Sequence, residues 1–73
     1  MAREYLKKLR CEKQMTMQDV ADRIGISKQY YQMIENGERQ RKMDVTLATM
    51  FSALFGIPIE EIIRLETERT TNE

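Results

Sequence analysis

Residues 24–37 read IGISKQYYQMIENG, with a glycine near each end and a serine soon after the first glycine. Gly25 has no Cβ, so it can enter the left-handed backbone region that often follows a helix at little cost. Ser27 is a favourable cap for a helix that begins at the next residue. Asn36 and Gly37 can end that helix by the same device as Gly25. The stretch therefore predicts the end of one helix, a short turn and a complete second helix.

The turn around Gly25 is only about three residues long, which is too short for two helices to lie side by side in antiparallel fashion. It suits two helices that meet near a right angle. This is the helix-turn-helix arrangement, whose second helix can lie in the major groove of DNA. The side chains of the second helix are therefore the first candidates for a functional role.

The second helix of this pair, at residues 28–35, separates into a polar face and an apolar face. At about 100° per residue, four long side chains fall within about 140° of one another: Lys28, Gln32, Gln29 and Met33. Tyr31 and Ile34 lie on the opposite side and are expected in the core. Glutamine can pair with an adenine edge, lysine can reach guanine O6 and N7, and a methionine methyl group can pack on a thymine methyl. For Met33, the filling of a gap between packed residues stays an alternative.

Apolar residues at helical spacing predict four further helices, at residues 3–13, from 17 to about 23, at 45–55 and from about Pro58 to Leu65. The helix at 45–55 has so broad an apolar stripe that we expect it in the centre of the core. Thr16 and Asp44 are expected to cap the helices that follow them. Val20 and Ile24 are expected in the core. The sequence thus predicts an all-α domain of five helices, with a boundary that we place after residue 66 and a flexible C-terminal tail at 67–73.

Composition limits the classes of function. The chain has 73 residues, of which 41% are hydrophobic and 33% charged, as is ordinary for one small globular domain. It has a single cysteine, Cys11, and no histidine, so an internal disulfide is excluded and the usual general base and metal ligand are missing. We interpret Cys11 as an incidental thiol rather than a redox sensor. We therefore expect no enzyme, no metal site and no cofactor.

Charge is distributed unevenly along the chain, although the net charge is zero. Residues 1–42 carry ten Lys and Arg against six Asp and Glu, a balance of +4, whereas residues 43–73 carry two against six, a balance of −4. Such a split is typical of an electrostatic footprint on one part of a domain, although charges also serve simply to solvate helix faces. No apolar run approaches the roughly 18 residues of a membrane span and no signal peptide is apparent, so we expect a cytoplasmic protein without membrane contact.

A resemblance to a known family is carried by residues 16–38, TMQDVADRIGISKQYYQMIENGE. This segment resembles the helix-turn-helix of phage repressors and Cro proteins, also called the XRE (xenobiotic-response-element) family. The matching residues are Thr16, Ala21, Gly25, Ser27, Tyr30, Tyr31 and the run Ile34-Glu35-Asn36-Gly37. LKKLRCEK before it and FGIPIEEI after it look like the first and last helices of that family. The likeness covers roughly residues 3–65 and implies a compact, five-helix, lambda-repressor-like DNA-binding domain.

The resemblance also implies which residues contact DNA. It implies base reading by the polar face of the second helix: Lys28, Gln29, Gln32 and Met33. It implies phosphate contacts from residues around that helix: Ser27, Tyr30, Asn36, Arg39, Arg41 and Lys42. Arg10 and Glu35 are expected to form an ion pair that ties the first helix to the end of the reading helix. For Tyr30, a half-buried place in the core stays an alternative.

One position departs from the family pattern. The family commonly has glutamine at the first residue of the helix before the turn, where it touches a phosphate and braces the reading helix, and this chain has Met17. Either Gln18 takes over the phosphate contact from a neighbouring angle, or the anchor is absent and the affinity is lower.

The resulting hypothesis is a sequence-specific DNA-binding transcriptional regulator, a repressor, that binds a palindromic double-stranded operator as a homodimer. A dimer surface is expected at the end of the fourth helix and in the fifth: Phe55, Ile57, Ile59 and Ile63. Two alternatives stay open. The domain could be an antitoxin or controller-type regulator with a protein partner on the acidic fifth helix, or a protein-interaction module that has lost DNA binding.

Overall fold

The computed structural model describes residues 2–40 and 42–71, and within these residues the chain forms five helices and no strand. The helices follow one another as α1 (Glu4–Glu12), α2 (Met17–Ile24), α3 (Lys28–Glu35), α4 (Val45–Phe55) and α5 (Ile59–Thr71). The prediction of an all-α fold with five helices is confirmed, and α3 and α4 have the bounds that the sequence pattern predicts.

Local hydrogen bonds explain where three of the helices begin. Each N-cap side chain accepts a bond from the backbone N–H three residues further on, at 3.1, 3.0 and 2.7 Å: Thr16, Ser27 and Asp44. At the start of α2, the Asp19 carboxylate also accepts a bond from the Thr16 N–H at 2.9 Å, which completes a capping box. This backbone hydrogen bond lowers the pKa of Asp19. Because the caps depend only on residues close in sequence, the sequence alone could place them.

The turn between α2 and α3 sets the angle at which the two helices meet. Gly25 has φ 77° and ψ 33°, and the N–H groups of Gly25 and Ile26 both donate to the Ala21 carbonyl. A Cβ added at Gly25 would meet no atom within 4 Å, so the backbone conformation, and not a lack of space, requires glycine. The half-buried Ile26 packs against the core and holds the turn in place.

The core lies between α4 and the other helices. Its buried apolar side chains come from all five helices: Leu6, Val20, Ala21, Ile24, Tyr31, Ile34, Leu47, Ala48, Phe51, Phe55 and Ile62. The Phe51 ring meets Tyr31 edge-on and stacks on Phe55, with ring centroids 6.2 and 6.0 Å apart. The core residues predicted on α2 and α3 are therefore confirmed, and the aromatic cluster joins α4 directly to the buried side of α3.

The expectation that α4 lies in the centre of the core is wrong for one of its faces. Val45 is 76% exposed and Met50 is 40% exposed, on the side of α4 that points away from the aromatic cluster. The other four helices cover one side of α4, and within residues 2–40 and 42–71 no further element covers the other. The broad apolar stripe of α4 therefore reaches the surface.

The predicted dimer surface also needs a correction. Phe55 is only 4% exposed because its ring is stacked on Phe51 in the core, so it is not part of any outer surface. Ile57 and Ile59 are half-buried against the same core. Ile63, at 56% exposed, is the one member of the predicted set that is open to solvent.

Helix α5 continues to Thr71, whereas the apolar pattern predicts its end at Leu65. A polar contact spans that point: Arg64 is paired with Glu68, four residues after it, and also with Glu61, three residues before it. Pairs at this spacing support a helix without any apolar face. The flexibility expected for 67–73 stays a prediction, and the last two of these residues lie outside the described part of the chain.

No single helix within residues 2–40 and 42–71 is long and apolar enough to cross a membrane. Val45–Phe55 and Ile59–Glu68 reach the necessary length and composition only as a pair, and this pair is bent by 114°.

Candidate nucleic-acid interface

The outer face of α3 presents the four side chains that the sequence predicts as base readers. Lys28, Gln29 and Gln32 are exposed, and Met33 is 37% exposed. Tyr31, on the opposite side of the helix, is completely buried. The helix thus holds a row of hydrogen-bonding and methyl groups on its open side, while its other side is fixed in the core.

The start of α3 faces the start of α2 across an open depression. Lys28 and Gln18 both line this depression. The Gln18 side-chain amide nitrogen donates to the Asp22 carboxylate at 2.8 Å, and an amide nitrogen carries a second hydrogen that can point to another acceptor. The predicted substitute for the missing family glutamine therefore lies beside a predicted base reader.

A narrower cleft lies between the start of α2 and the end of α3. Met17 and the exposed Asn36 both line it. Three cations and two carboxylates line it as well: Arg3, Lys7, Arg10, Glu4 and Glu35. Met17 is half-buried and packs against the core, and its thioether supplies no N–H donor for a phosphate. Asn36 is therefore the neutral hydrogen-bond donor at this cleft, where the family commonly has glutamine at the position of Met17.

The segment after α3 adds positive charge beside that helix. Arg39 and Lys42 are exposed, and the third predicted cation, Arg41, lies outside the described residues. Gln40 is half-buried, and its side-chain amide nitrogen donates to the Tyr30 hydroxyl at 2.9 Å. This bond joins Gln40, the residue after Arg39, to the first turn of α3.

Ser27 and Tyr30 combine a structural contact with an outward polar group. The Ser27 oxygen accepts the cap bond from the Tyr30 N–H, which leaves the serine hydroxyl hydrogen for another acceptor. The Tyr30 ring is half-buried against the core, while its hydroxyl meets Gln40. A core role for the ring and a surface role for the hydroxyl are therefore compatible in the same residue.

Arg10 and Glu35 form a bidentate ion pair between α1 and the end of α3. The Arg10 Nε and Nη2 atoms donate to the two Glu35 carboxylate oxygens, each at 3.1 Å, and Nη1 donates to the Met15 carbonyl at 3.2 Å. The side chains are 12% and 6% exposed, and the hydrogen bond to Glu35 raises the pKa of Arg10. One arginine therefore fixes the end of α3 and the segment before α2 together.

A second buried arginine was not predicted. The sequence pattern places Arg3 simply at the start of the first helix, yet it is completely buried and pairs with Glu66 at 2.7 Å. The Tyr5 hydroxyl also donates to Glu66, and burial followed by this hydrogen bond raises the pKa of Tyr5. No local pattern could have revealed the pair, because its members are 63 positions apart and both residue types are usually exposed.

The geometry described so far is that of a helix-turn-helix, and the sequence profile of the family described as helix-turn-helix matches residues 6–62. The chain belongs to the helix-turn-helix family. The resemblance to the XRE type is thereby confirmed, and regulators of this family are generally not enzymes.

The chain is also similar to a protein of Bacillus subtilis (strain 168) that is named as an uncharacterized HTH-type transcriptional regulator, YqaF. The two are 46% identical over 46 residues, which are 63% of this chain. The matched region spans 60% of the length of that relative, so the rest of YqaF has no counterpart in the match.

Proposed function

We propose that this chain is a sequence-specific DNA-binding transcriptional regulator that acts as a repressor, with α3 reading base edges in the major groove of an operator. The observation that carries this proposal is the division of α3: one face is buried in the core, and the other exposes Lys28, Gln29, Gln32 and Met33. A helix that enters a groove needs both faces, because the core face fixes its direction while the outer face meets the bases.

Each exposed side chain of α3 has a suitable partner on DNA. Gln29 and Gln32 carry the donor and acceptor pair that matches the N7 and N6 edge of adenine, and Lys28 can donate to guanine O6 or N7. The Met33 methyl group suits apolar contact with a thymine methyl. These contacts would select the sequence, while most of the binding energy would come from the phosphates.

The proposed phosphate contacts surround α3. They comprise the cations and polar groups at both ends of the helix: Gln18, Ser27, Tyr30, Asn36, Arg39, Arg41 and Lys42. The net charge of +4 in residues 1–42 supports this assignment, since these residues include all seven. The acidic balance of residues 43–73 would keep that part of the molecule away from the polyanion.

The operator is proposed to be palindromic and the protein to bind it as a homodimer. One unit with four base-reading side chains covers only a few base pairs, and a two-fold dimer would place its half-sites about 34 Å apart. The surface for the second copy would include Ile63 and not Phe55. In the antitoxin or controller alternative, a protein partner would dock on the same outer side of α5. Sedimentation of the free chain separates these cases. A dimer would support the homodimer, and a monomer would support the separate partner.

Selection from a pool of random duplexes tests the proposed function. The chain should enrich one sequence, and its affinity for that duplex should fall steeply with salt. Gln29→Ala should lower the discrimination at one base position of each half-site by about 1–3 kcal/mol. Lys8→Ala, which removes an exposed lysine that lines neither depression beside α3, is the matched control and should leave the discrimination unchanged. No enrichment and no binding at low salt would support the interaction-module alternative instead.

A further inference from the structure

A buried arginine holds the segment that follows the reading helix. The Arg3 Nη1 atom donates to the carbonyl oxygens of Ile34 and Arg39, at 2.6 and 3.1 Å, and Nη2 donates to the Gln40 carbonyl. The Arg3 backbone N–H donates to the Glu35 carbonyl at 2.7 Å. A cation is favourable at this place, because the carbonyl groups at the end of a helix carry partial negative charge. Arg3 thus fixes the end of α3 and the next turn of chain at once.

The other side of the same guanidinium group is held by α5. The Arg3 Nε and Nη2 atoms donate to the two Glu66 carboxylate oxygens, at 2.7 and 3.1 Å, and the Tyr5 hydroxyl donates to one of these oxygens. The Arg3 side chain is 0% exposed and that of Glu66 is 16% exposed. A completely buried guanidinium group needs such a counter-charge, since an unpaired charge is very costly in the interior. Arg3 therefore depends on Glu66 for its position.

Gln40 carries the connection onward to the face of α3. It has φ 55°, a left-handed conformation that is uncommon for a residue with a side chain and persists only where the surroundings hold it. Its carbonyl is bound by Arg3, its side-chain nitrogen donates to the Tyr30 hydroxyl at 2.9 Å, and its side-chain oxygen accepts from the Asp44 N–H at 3.2 Å. Gln40 is thus fixed by α1, α3 and the cap of α4 at the same time.

We propose that Arg3, Gln40 and Glu66 are positioning residues for DNA binding, which hold residues 38–40 so that the Arg39 side chain reaches a phosphate. The inference rests on the proposed function and deepens it. Arg3 is buried and touches no phosphate itself; it acts through the backbone of Arg39 and Gln40. As a result, phosphate contacts on one side of the molecule depend on a carboxylate in α5, a helix to which the proposed interface assigns no DNA contact.

The test measures how much Arg39 contributes to binding when the support is weakened. In the native chain, Arg39→Ala should reduce the slope of log affinity against log salt by about one. In a Glu66→Gln background, the same substitution should reduce the slope by less than about half as much, because the segment no longer holds Arg39 at the phosphate. The probe is the duplex enriched by the native chain from the random pool.

A matched control uses a second glutamate of α5. Glu68→Gln changes the charge of the same helix equally, but Glu68 is exposed and pairs with Arg64. In this background Arg39→Ala should reduce the slope as it does in the native chain. If the loss were instead equally small in both backgrounds, a general effect of charge on α5 would account for it and the positioning role would be refuted.

A milder variant covers the case in which Glu66→Gln does not fold. Gln40→Gly permits the positive φ and keeps the carbonyl that Arg3 binds, while it removes the bonds to Tyr30 and Asp44. It should also diminish the effect of Arg39→Ala, and amide hydrogen exchange of the free protein should quicken in residues 38–44. An undiminished effect of Arg39→Ala in every background that folds would overturn the positioning role alone. Absence of salt-dependent binding by the native chain would overturn the proposed function, and the positioning role with it.

Discussion

Glu35 is a nearly buried carboxylate whose side chain is 6% exposed and whose two oxygens are occupied by Arg10. Glu35→Gln would keep the shape and leave the guanidinium group without its counter-charge. We expect the free energy of unfolding to fall by about 2–3 kcal/mol, at the low end for a broken buried pair because Arg10 retains some exposure. Urea denaturation measures this loss. Glu61→Gln, which breaks an exposed pair with Arg64, is the control and should cost much less.

Two tyrosines should make the stability of the fold sensitive to alkaline pH. Burial raises the pKa of Tyr5 and of Tyr31, with further increases from Glu66 and Glu35 respectively. A pKa that is higher in the folded than in the unfolded state gives stability that is complete below about pH 10 and is lost as the pH rises further. Phenolate absorbance from these residues should therefore develop together with unfolding. Ionisation of both near pH 10 in a chain whose circular dichroism remains helical would contradict this.

At the scale of elements, the turn at Gly25 decides whether α3 is held at the right angle. Gly25→Ala should reduce the free energy of unfolding by about 1–2 kcal/mol, because φ 77° is unfavourable for a residue with a Cβ. Gly25→Asn should cost less, since asparagine tolerates the left-handed region. Thermal denaturation of the two variants compares them. A larger loss for Gly25→Asn than for Gly25→Ala would mean that space and not backbone conformation sets the requirement, contrary to the open surroundings of Gly25.

The bounds of a helix can be predicted from the sequence where residues close in sequence set them. The bounds of α3 and α4 follow from caps such as Ser27 and Asp44, which bind backbone groups only three residues away. The continuation of α5 past Leu65 could not be predicted from apolar spacing, because the contact that spans this point is the Arg64–Glu68 ion pair. Phe55 was misplaced for a related reason: an apolar residue at a helix end suits a surface or a core equally, and only its stacking on Phe51 decides.

The candidate site likewise has one part that could be predicted from the sequence and one part that could not. The outer face of α3 follows from helical phase alone, so Lys28 and Gln29 could be predicted from the sequence, and both are exposed. The support of the segment after α3 could not be predicted. It depends on Arg3 and Glu66, which come from opposite ends of the chain and meet only when α1 and α5 are packed.

At the scale of the whole molecule, the two halves of the chain have different tasks in this account. The basic first part contains α2, α3 and residues 38–40, all on the proposed DNA side. The acidic second part contains α4 and α5, which supply the aromatic core and the carboxylate that holds Arg3. The zero net charge of the chain therefore does not argue against a nucleic-acid partner, because the charge is separated along the fold.

The most direct test of the account is to map, by nuclear magnetic resonance, which amides respond when the selected duplex is added to the native chain. We expect the largest shifts in residues 27–33 and in the described residues of 38–42, with a shift of the Gln40 side-chain amide as its tyrosine partner meets a phosphate. Residues on the exposed face of α4, such as Val45 and Thr49, should change little. Unchanged resonances throughout 28–33 at saturating duplex would contradict the claim that α3 is the helix that reads DNA.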